Sequence, residues 1–341
     1  MDGCDRPVRF NAIKTKVMTF KDYTKKEYEP GLWSMETLTL LYMIFTSVLI
    51  GIYWSHLADA MSMVITRMAM LAAMGIMYGV YRFAPCRLTR LLRVIPPLLG
   101  LISWYPETYD FCSQLPYLDH VFASVDQSLF GCQPALVFCQ AVSSAFWSEA
   151  FNMGYYAYYY MMGATLIFYL LCRYNQADKA GFIFLGSFFL YYIIYEFLPV
   201  AGPQYYFKAV GVETADSGVF PAIGYYFQTH TDMLRPEIKG IFSQLVAGAQ
   251  DVGERPTAAF PSSHVGMSTV TMMLAWKARN KWLFWVMAPV YVLLCCATVY
   301  IQAHYLIDSI CGFISAVLFF FFMRWAYGRV HKEKQVTQTY K

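Results

Sequence analysis

Charge is scarce in this chain. Only 14% of its 341 residues are Asp, Glu, Lys or Arg, while 58% are hydrophobic. An ordinary soluble domain carries about a quarter charged residues, so that class is excluded. No internal repeat and no low-complexity linker is present. No two-plus-two cysteine spacing exists, which removes a structural zinc site. The nine cysteines read mostly as packing residues, with a disulfide possible among Cys112, Cys132 and Cys139. No basic-aromatic groove pattern is present either, so the net charge of +4 does not point to nucleic acid. No short apolar core precedes the first long apolar run, and no cleavable signal peptide is expected.

What the chain does have is long apolar runs, and a helix needs ~20 apolar residues to cross a bilayer. The runs place membrane spans near 35–54, 61–82, 91–105, 151–172, 180–198, 263–276, 282–303 and 305–324. The expectation is an all-α polytopic membrane protein with about eight transmembrane helices. The third span is short and contains Arg93 and Pro96-Pro97. The segment 134–150 is apolar but carries Glu149, and reads as an interfacial or re-entrant helix.

Basic residues set the orientation. They gather in the N-terminal arm (Arg6, Arg9, Lys14, Lys16, Lys21, Lys25, Lys26), at 82–93, 173–179 and 277–281, and in the tail. The other side has only Lys208, Arg235, Lys239 and Arg255. Both termini are therefore expected to be cytoplasmic. The chain divides into a cytoplasmic arm (1–34), accessory spans (35–105), a core (106–325) with outer-face segments 106–150 and 199–262, and a basic cytoplasmic tail (326–341).

Two polar constellations interrupt the apolar sequence. One is Phe260-Pro261-Ser262-Ser263-His264. The other is His304-Tyr305-Leu306-Ile307-Asp308. Ionisable groups in such a setting are costly and usually functional. The topology puts both histidines at the outer face. Asp308, four residues beyond His304, shares its helical face. It is expected to accept the Nδ1–H of His304, leaving Nε2 as a nucleophile for phosphorus. Ser262 or Ser263 is expected to cap the helix that His264 opens, where N–H groups favour an anion. His264 would act as general acid and base. Arg255, upstream on the same face, is a candidate phosphate ligand. A pair of isolated interfacial histidines, or a metal site from His264, His304 and Asp308, are the competing readings. Tyr155, Tyr156, Tyr158, Tyr159 and Tyr160 form either an interfacial belt or the wall of a headgroup cavity. Arg67 is either a locally paired or snorkelling residue or, with Glu196, part of a transport pathway.

These residues resemble the type 2 phosphatidic acid phosphatase superfamily over roughly 150–325. That family has a six-helix core, a Pro-Ser-x-His motif and a distal His-x-x-x-Asp. Two features depart from its phosphatases. Gly248 stands where the Lys of Lys-x6-Arg-Pro is expected before Arg255-Pro256, and Ala297-Thr298 replace Ser-Arg. Phe260-Pro261-Ser262-Ser263-His264 and Thr298-Val299-Tyr300 before His304-Tyr305 and Asp308 are more similar to the inositol phosphorylceramide synthase branch. Gly202-Pro203-Gln204-Tyr205-Tyr206 also resembles a segment of that branch. The resemblance implies catalytic roles for His264, His304 and Asp308, and phosphatidylinositol and ceramide as substrates, with no metal or other cofactor. Candidate substrate contacts are Arg255, Ser262, Ser263, Gln204, Tyr205, Tyr206 and Lys208. A lipid phosphate phosphatase or pyrophosphatase is the alternative within the superfamily. A transporter or receptor is the alternative outside it.

Overall fold

The computed structural model describes residues 19–235 and 240–339, with side chains through Val330. Arg6, Arg9, Lys14, Lys16, Lys239 and Lys341 lie outside the described residues. Those described form an all-α polytopic membrane protein with no strand among them.

A short α1 (Phe20–Thr24) precedes α2 (Ser34–Tyr53), α3 (Ala60–Phe83), α4 (Arg87–Leu92) and α5 (Ile95–Cys112). Then come α6 (Asp119–Phe130), α7 (Pro134–Ala141), α8 (Ala145–Tyr156), α9 (Tyr158–Cys172) and α10 (Tyr174–Phe197). The chain closes with α11 (Pro203–Val210), α12 (Val212–Asp216), α13 (Ile241–Gly253), α14 (Ser263–Lys277), α15 (Lys281–Tyr300) and α16 (Leu306–Thr339). Five of these are long and apolar enough to span a membrane: α2, α3, α10, α15 and Leu306–Val330 of α16.

The element boundaries differ from the sequence expectation where polar and proline residues sit. Pro96 and Pro97 occupy the first turn of α5, where a missing N–H costs nothing. The helix runs on through Pro106 to Cys112 instead of stopping at 105. The expected span 151–172 is two helices broken at Ala157, and the expected single helix over 134–150 is α7 followed by the start of α8. Glu149, the charge in that segment, accepts N–H bonds from Phe242 (2.8 Å) and Ser243 (3.1 Å) and so caps α13.

Central α10 is buried on nearly all sides. Its core partners include Met35 and Tyr42 of α2, Trp104 of α5, Met267 and Leu274 of α14, and Phe320 of α16. Two buried ion pairs tie the early helices together. Arg67 of α3 binds Glu107 of α5 through two N–H bonds (2.8 and 3.1 Å), which assigns Arg67 to local pairing. Arg93 binds Glu36 of α2 with both groups buried. Glu196 near the end of α10 accepts the Tyr42 hydroxyl (3.0 Å), so the early helices also grip the core by hydrogen bonding. Cys112, Cys132 and Cys139 are free thiols, so the possible disulfide among them is not formed. Cys112 lies beside the Thr257 hydroxyl, 3.1 Å from its oxygen.

Candidate active site

The turn between α15 and α16 carries His304, and the start of α14 carries His264. Their ring centroids are 5.7 Å apart. Ser262 is the N-cap of α14, its hydroxyl accepting the Val265 N–H. Ser262 N–H in turn donates to the carbonyl of Asp308 (3.0 Å), which stitches the two helix starts together. Gly312 permits the approach: a Cβ there would stand 2.4 Å from the Ser262 carbonyl oxygen.

His304 is buried, and its Nδ1 lies 2.8 Å from the carbonyl oxygen of Ala259. A carbonyl only accepts, so Nδ1 carries the proton and Nε2 the lone pair. This corrects the expected His304–Asp308 hydrogen bond. Asp308 Oδ2 is 3.8 Å from Nδ1. It accepts instead the N–H of Tyr305 at 2.9 Å. The reason is local: Asp308 is the third residue of α16, and a carboxylate there reaches back to the free N–H groups of the helix start. Asp308 Oδ1 is buried without a hydrogen-bond partner among the described residues. Asp308 is fully buried and bonds the helix start, not the ring. Burial pushes the His304 ring down to about 4, the bond to Ala259 opposing that shift.

His264 is flanked by aromatic rings. Tyr155 of α8 stacks on it at 4.6 Å and Tyr158 of α9 lies at 4.7 Å. The tyrosine run thus divides: Tyr155 and Tyr158 wall the histidine, while Tyr159 and Tyr160 face outward. The Tyr195 hydroxyl of α10 donates to the Pro261 carbonyl (2.8 Å), fixing the turn before His264.

Two carboxylates on α6, which are not among the candidate residues read from the sequence, brace this arrangement. Both are fully buried. Asp119 accepts N–H bonds from Ala201 (3.0 Å) and Gly202 (2.8 Å), and the Tyr305 hydroxyl (3.2 Å). Burial raises it to about 7 against those three donors. Asp126 accepts the Leu306 and Ile307 N–H groups at 2.8 and 3.0 Å, capping the helix that follows His304. Their spacing of seven residues puts them on one helix face, the one signal in the sequence that marks them. Gly202, at φ +95°, brings the 199–202 segment against the turn: a Cβ there would lie 2.6 Å from the Ala303 carbonyl oxygen.

The remaining expected contacts fall into separate groups. Gln204 is buried; its N–H donates to the Gln302 carbonyl (2.8 Å), two residues from His304, and its side chain meets Glu254 and Gln250. Glu254 is pushed up to about 7 by burial, with Gln204 and Arg255 opposing. Arg255 turns Nη1 to the Glu254 carbonyl (2.8 Å). Tyr205 and Tyr206 are buried: Tyr205 abuts Phe227, and the Tyr206 hydroxyl donates to the Pro221 carbonyl. Lys208 is exposed in the last turn of α11. Thr298 is fully buried, its hydroxyl 2.9 Å from that of Ser309. Among the described residues no group of three or more His, Cys, Asp or Glu is arranged to hold a metal ion.

A paired pair of imidazoles, one with a defined lone-pair nitrogen, can pass a phosphoryl group and a proton between two alcohols. Comparison with known proteins agrees on the class of chemistry. The family model described as the PAP2 superfamily matches residues 120–322. No curated protein and no solved structure gives a significant match.

Proposed function

The chain belongs to the PAP2 superfamily, whose members usually act on phosphate esters, and from that premise we propose that it is a sphingolipid synthase. It transfers phosphoinositol from phosphatidylinositol to ceramide and releases diacylglycerol. The observation that carries the choice of transfer over hydrolysis is at position 298. Superfamily phosphatases resemble one another in having Arg there; here Thr298 is buried against Ser309 and offers no cation to a phosphate.

The first step is attack of His304 Nε2 on the phosphorus of phosphatidylinositol. The N–P bond forms as the P–O bond to diacylglycerol breaks, and His264, entering as the imidazolium that the anionic phosphate favours, gives its proton to the leaving alkoxide. The phosphorylated ring is cationic, and the fully buried carboxylate of Asp308, 3.8 Å from Nδ1, offsets that charge. Ala259 holds the Nδ1 proton throughout. In the second step the primary hydroxyl of ceramide gives its proton to His264 and attacks phosphorus. The N–P bond breaks and both histidines return to their starting states. The rings of Tyr155 and Tyr158 around His264 exclude water from the proton-transfer site, which favours the lipid alcohol over hydrolysis. In this proposal the eight spans expected from sequence put both termini in the cytoplasm and the histidines at the extracytoplasmic face.

The test is a purified-protein assay with inositol-labelled phosphatidylinositol, ceramide and a chelator. Labelled phosphoinositol-ceramide with stoichiometric diacylglycerol supports the synthase. Water-soluble inositol phosphate or free phosphate, unaffected by ceramide, refutes it in favour of a phosphatase.

A further inference from the structure

At the other end of α14 from His264 lies a second polar feature. His264 and Lys277 are thirteen residues apart on that helix, or about 20 Å at the helical rise. There a cavity of about 370 Å³ opens between α9, α10, α14 and α16. Three cations line it: Lys179 of α10, Lys277 of α14 and Arg324 of α16. Gln176 adds an amide, and Ile183 and Phe320 supply apolar wall.

None of the three cations has a carboxylate partner among the described residues. Asp178, next in sequence to Lys179, faces other partners: it accepts the Ser34 N–H and the Tyr327 hydroxyl, each at 3.2 Å. Lys179 Nζ sits 5.8 Å over the Tyr327 ring. A fourth cation, Arg173, flanks the same end. Its Nε donates to the Ala278 carbonyl, and its buried Nη2 has no acceptor among the described residues. Helix dipoles do not account for the balance. The cavity meets the N-terminal turns of α10, which favour an anion, and the C-terminal turn of α14, which does not. The side chains therefore set its sign.

Three converging cations repel one another, and no carboxylate among the described residues is paired with any of them. We propose that this cavity binds an anionic phosphate group, as an anionic phospholipid presents at the membrane–water boundary. The position suits a lipid: apolar helices end here, and the apolar wall of Ile183 and Phe320 continues toward the bundle interior. Basic pockets at the ends of membrane helices recognise such headgroups by charge. This site is separate from the histidine pair, and its occupancy does not depend on which reaction the histidines carry out.

The experiment uses the full chain in detergent, with two probes: dioctanoyl phosphatidic acid and inorganic phosphate. Binding is measured calorimetrically on the wild type, on K179Q/K277Q/R324Q, on the charge-preserving K179R/K277R/R324K, and on H264A/H304A. Size exclusion and thermal melting check the fold of each. Phosphatidic acid should bind the wild type, the charge-preserving variant and the histidine variant, and should bind K179Q/K277Q/R324Q roughly 100-fold more weakly. Weak or absent inorganic phosphate binding assigns the site to a lipid. Inorganic phosphate binding of equal strength that is also lost in K179Q/K277Q/R324Q assigns it to a free anion and keeps the site. Binding unchanged in the folded K179Q/K277Q/R324Q variant, binding lost only in H264A/H304A, or no binding of either probe overturns the proposal.

Discussion

His304 donates its Nδ1 proton to the carbonyl of Ala259 at 2.8 Å. A main-chain oxygen, four residues after Arg255 and five before His264, thereby chooses the tautomer of the proposed nucleophile. Ala259 is itself held by its N–H, which donates to the Val200 carbonyl at 3.0 Å. The loop before α14 thus serves both histidines: it orients one and carries the other.

Because Ala259 fixes the tautomer, Asp308→Asn should be milder than loss of a tautomer-setting carboxylate, which costs ~10⁴-fold elsewhere. The amide oxygen still accepts the Tyr305 N–H, so the melting temperature stays near wild type. Only the charge facing the phosphorylated ring is lost, and turnover falls roughly 10²-fold. Initial rates of diacylglycerol release measure this. A fall to the level of His304→Ala would return the tautomer role to Asp308.

Asp126→Ala leaves the Leu306 and Ile307 N–H groups without their acceptors. The expected destabilisation is about 1–3 kcal/mol, read as a lower melting temperature. Turnover falls more than substrate KM rises, since the start of α16 positions His304 instead of touching lipid. A change in KM alone would contradict the bracing role.

His304 must be neutral to attack. Burial lowers its folded value to about 4, below the unfolded value of ~6.5. Between those limits the unfolded chain binds more protons than the folded one. Stability contributed by neutral His304 is therefore full above ~6.5 and is lost as pH falls toward about 4. The acid limb of turnover assigned to this ring should lie near pH 4, not near the ordinary histidine value. A pH–rate profile from pH 3.5 to 8 in parallel with thermal melts, roughly spanning both histidine limits, separates loss of activity from loss of fold.

Gly202 and Gly211 share a left-handed φ, +95° and +90°, but differ in surroundings. Alanine at either is strained by about 1–3 kcal/mol. Only at 202 does the added carbon collide with a carbonyl, that of Ala303. Gly202→Ala should lose activity as well as stability, whereas Gly211→Ala should lose stability alone. Equal activity in the two would remove the 199–202 segment from the support of His304.

Much of this was legible in the chain, for reasons that differ by residue. The α14 start was readable because Ser262 is a good cap and an apolar helix follows it. The pairing of His264 with His304 followed from counting helices between them. Arg67 needed a partner, yet nothing in sequence distance pointed to Glu107 forty positions on. Asp119 and Asp126 were missed because a carboxylate in the expected outer-face segment 106–150 looks like solvated charge until its acceptor role is seen. The Ala259 carbonyl was beyond reach altogether: a main-chain oxygen has no side-chain signature. The burial of Tyr205 and Tyr206 was not readable either, since packing tyrosines and headgroup-binding tyrosines look alike in sequence.

The most direct measurement is a covalent trap on His304. The protein is mixed with inositol-labelled phosphatidylinositol without ceramide, quenched in alkali, which preserves phosphohistidine, and mapped by mass spectrometry. Label on the peptide carrying His304, abolished in His304→Ala and discharged to phosphoinositol-ceramide when ceramide is added before the quench, is the predicted result. Turnover with no labelled His304, or turnover that survives His304→Ala, would contradict the mechanism.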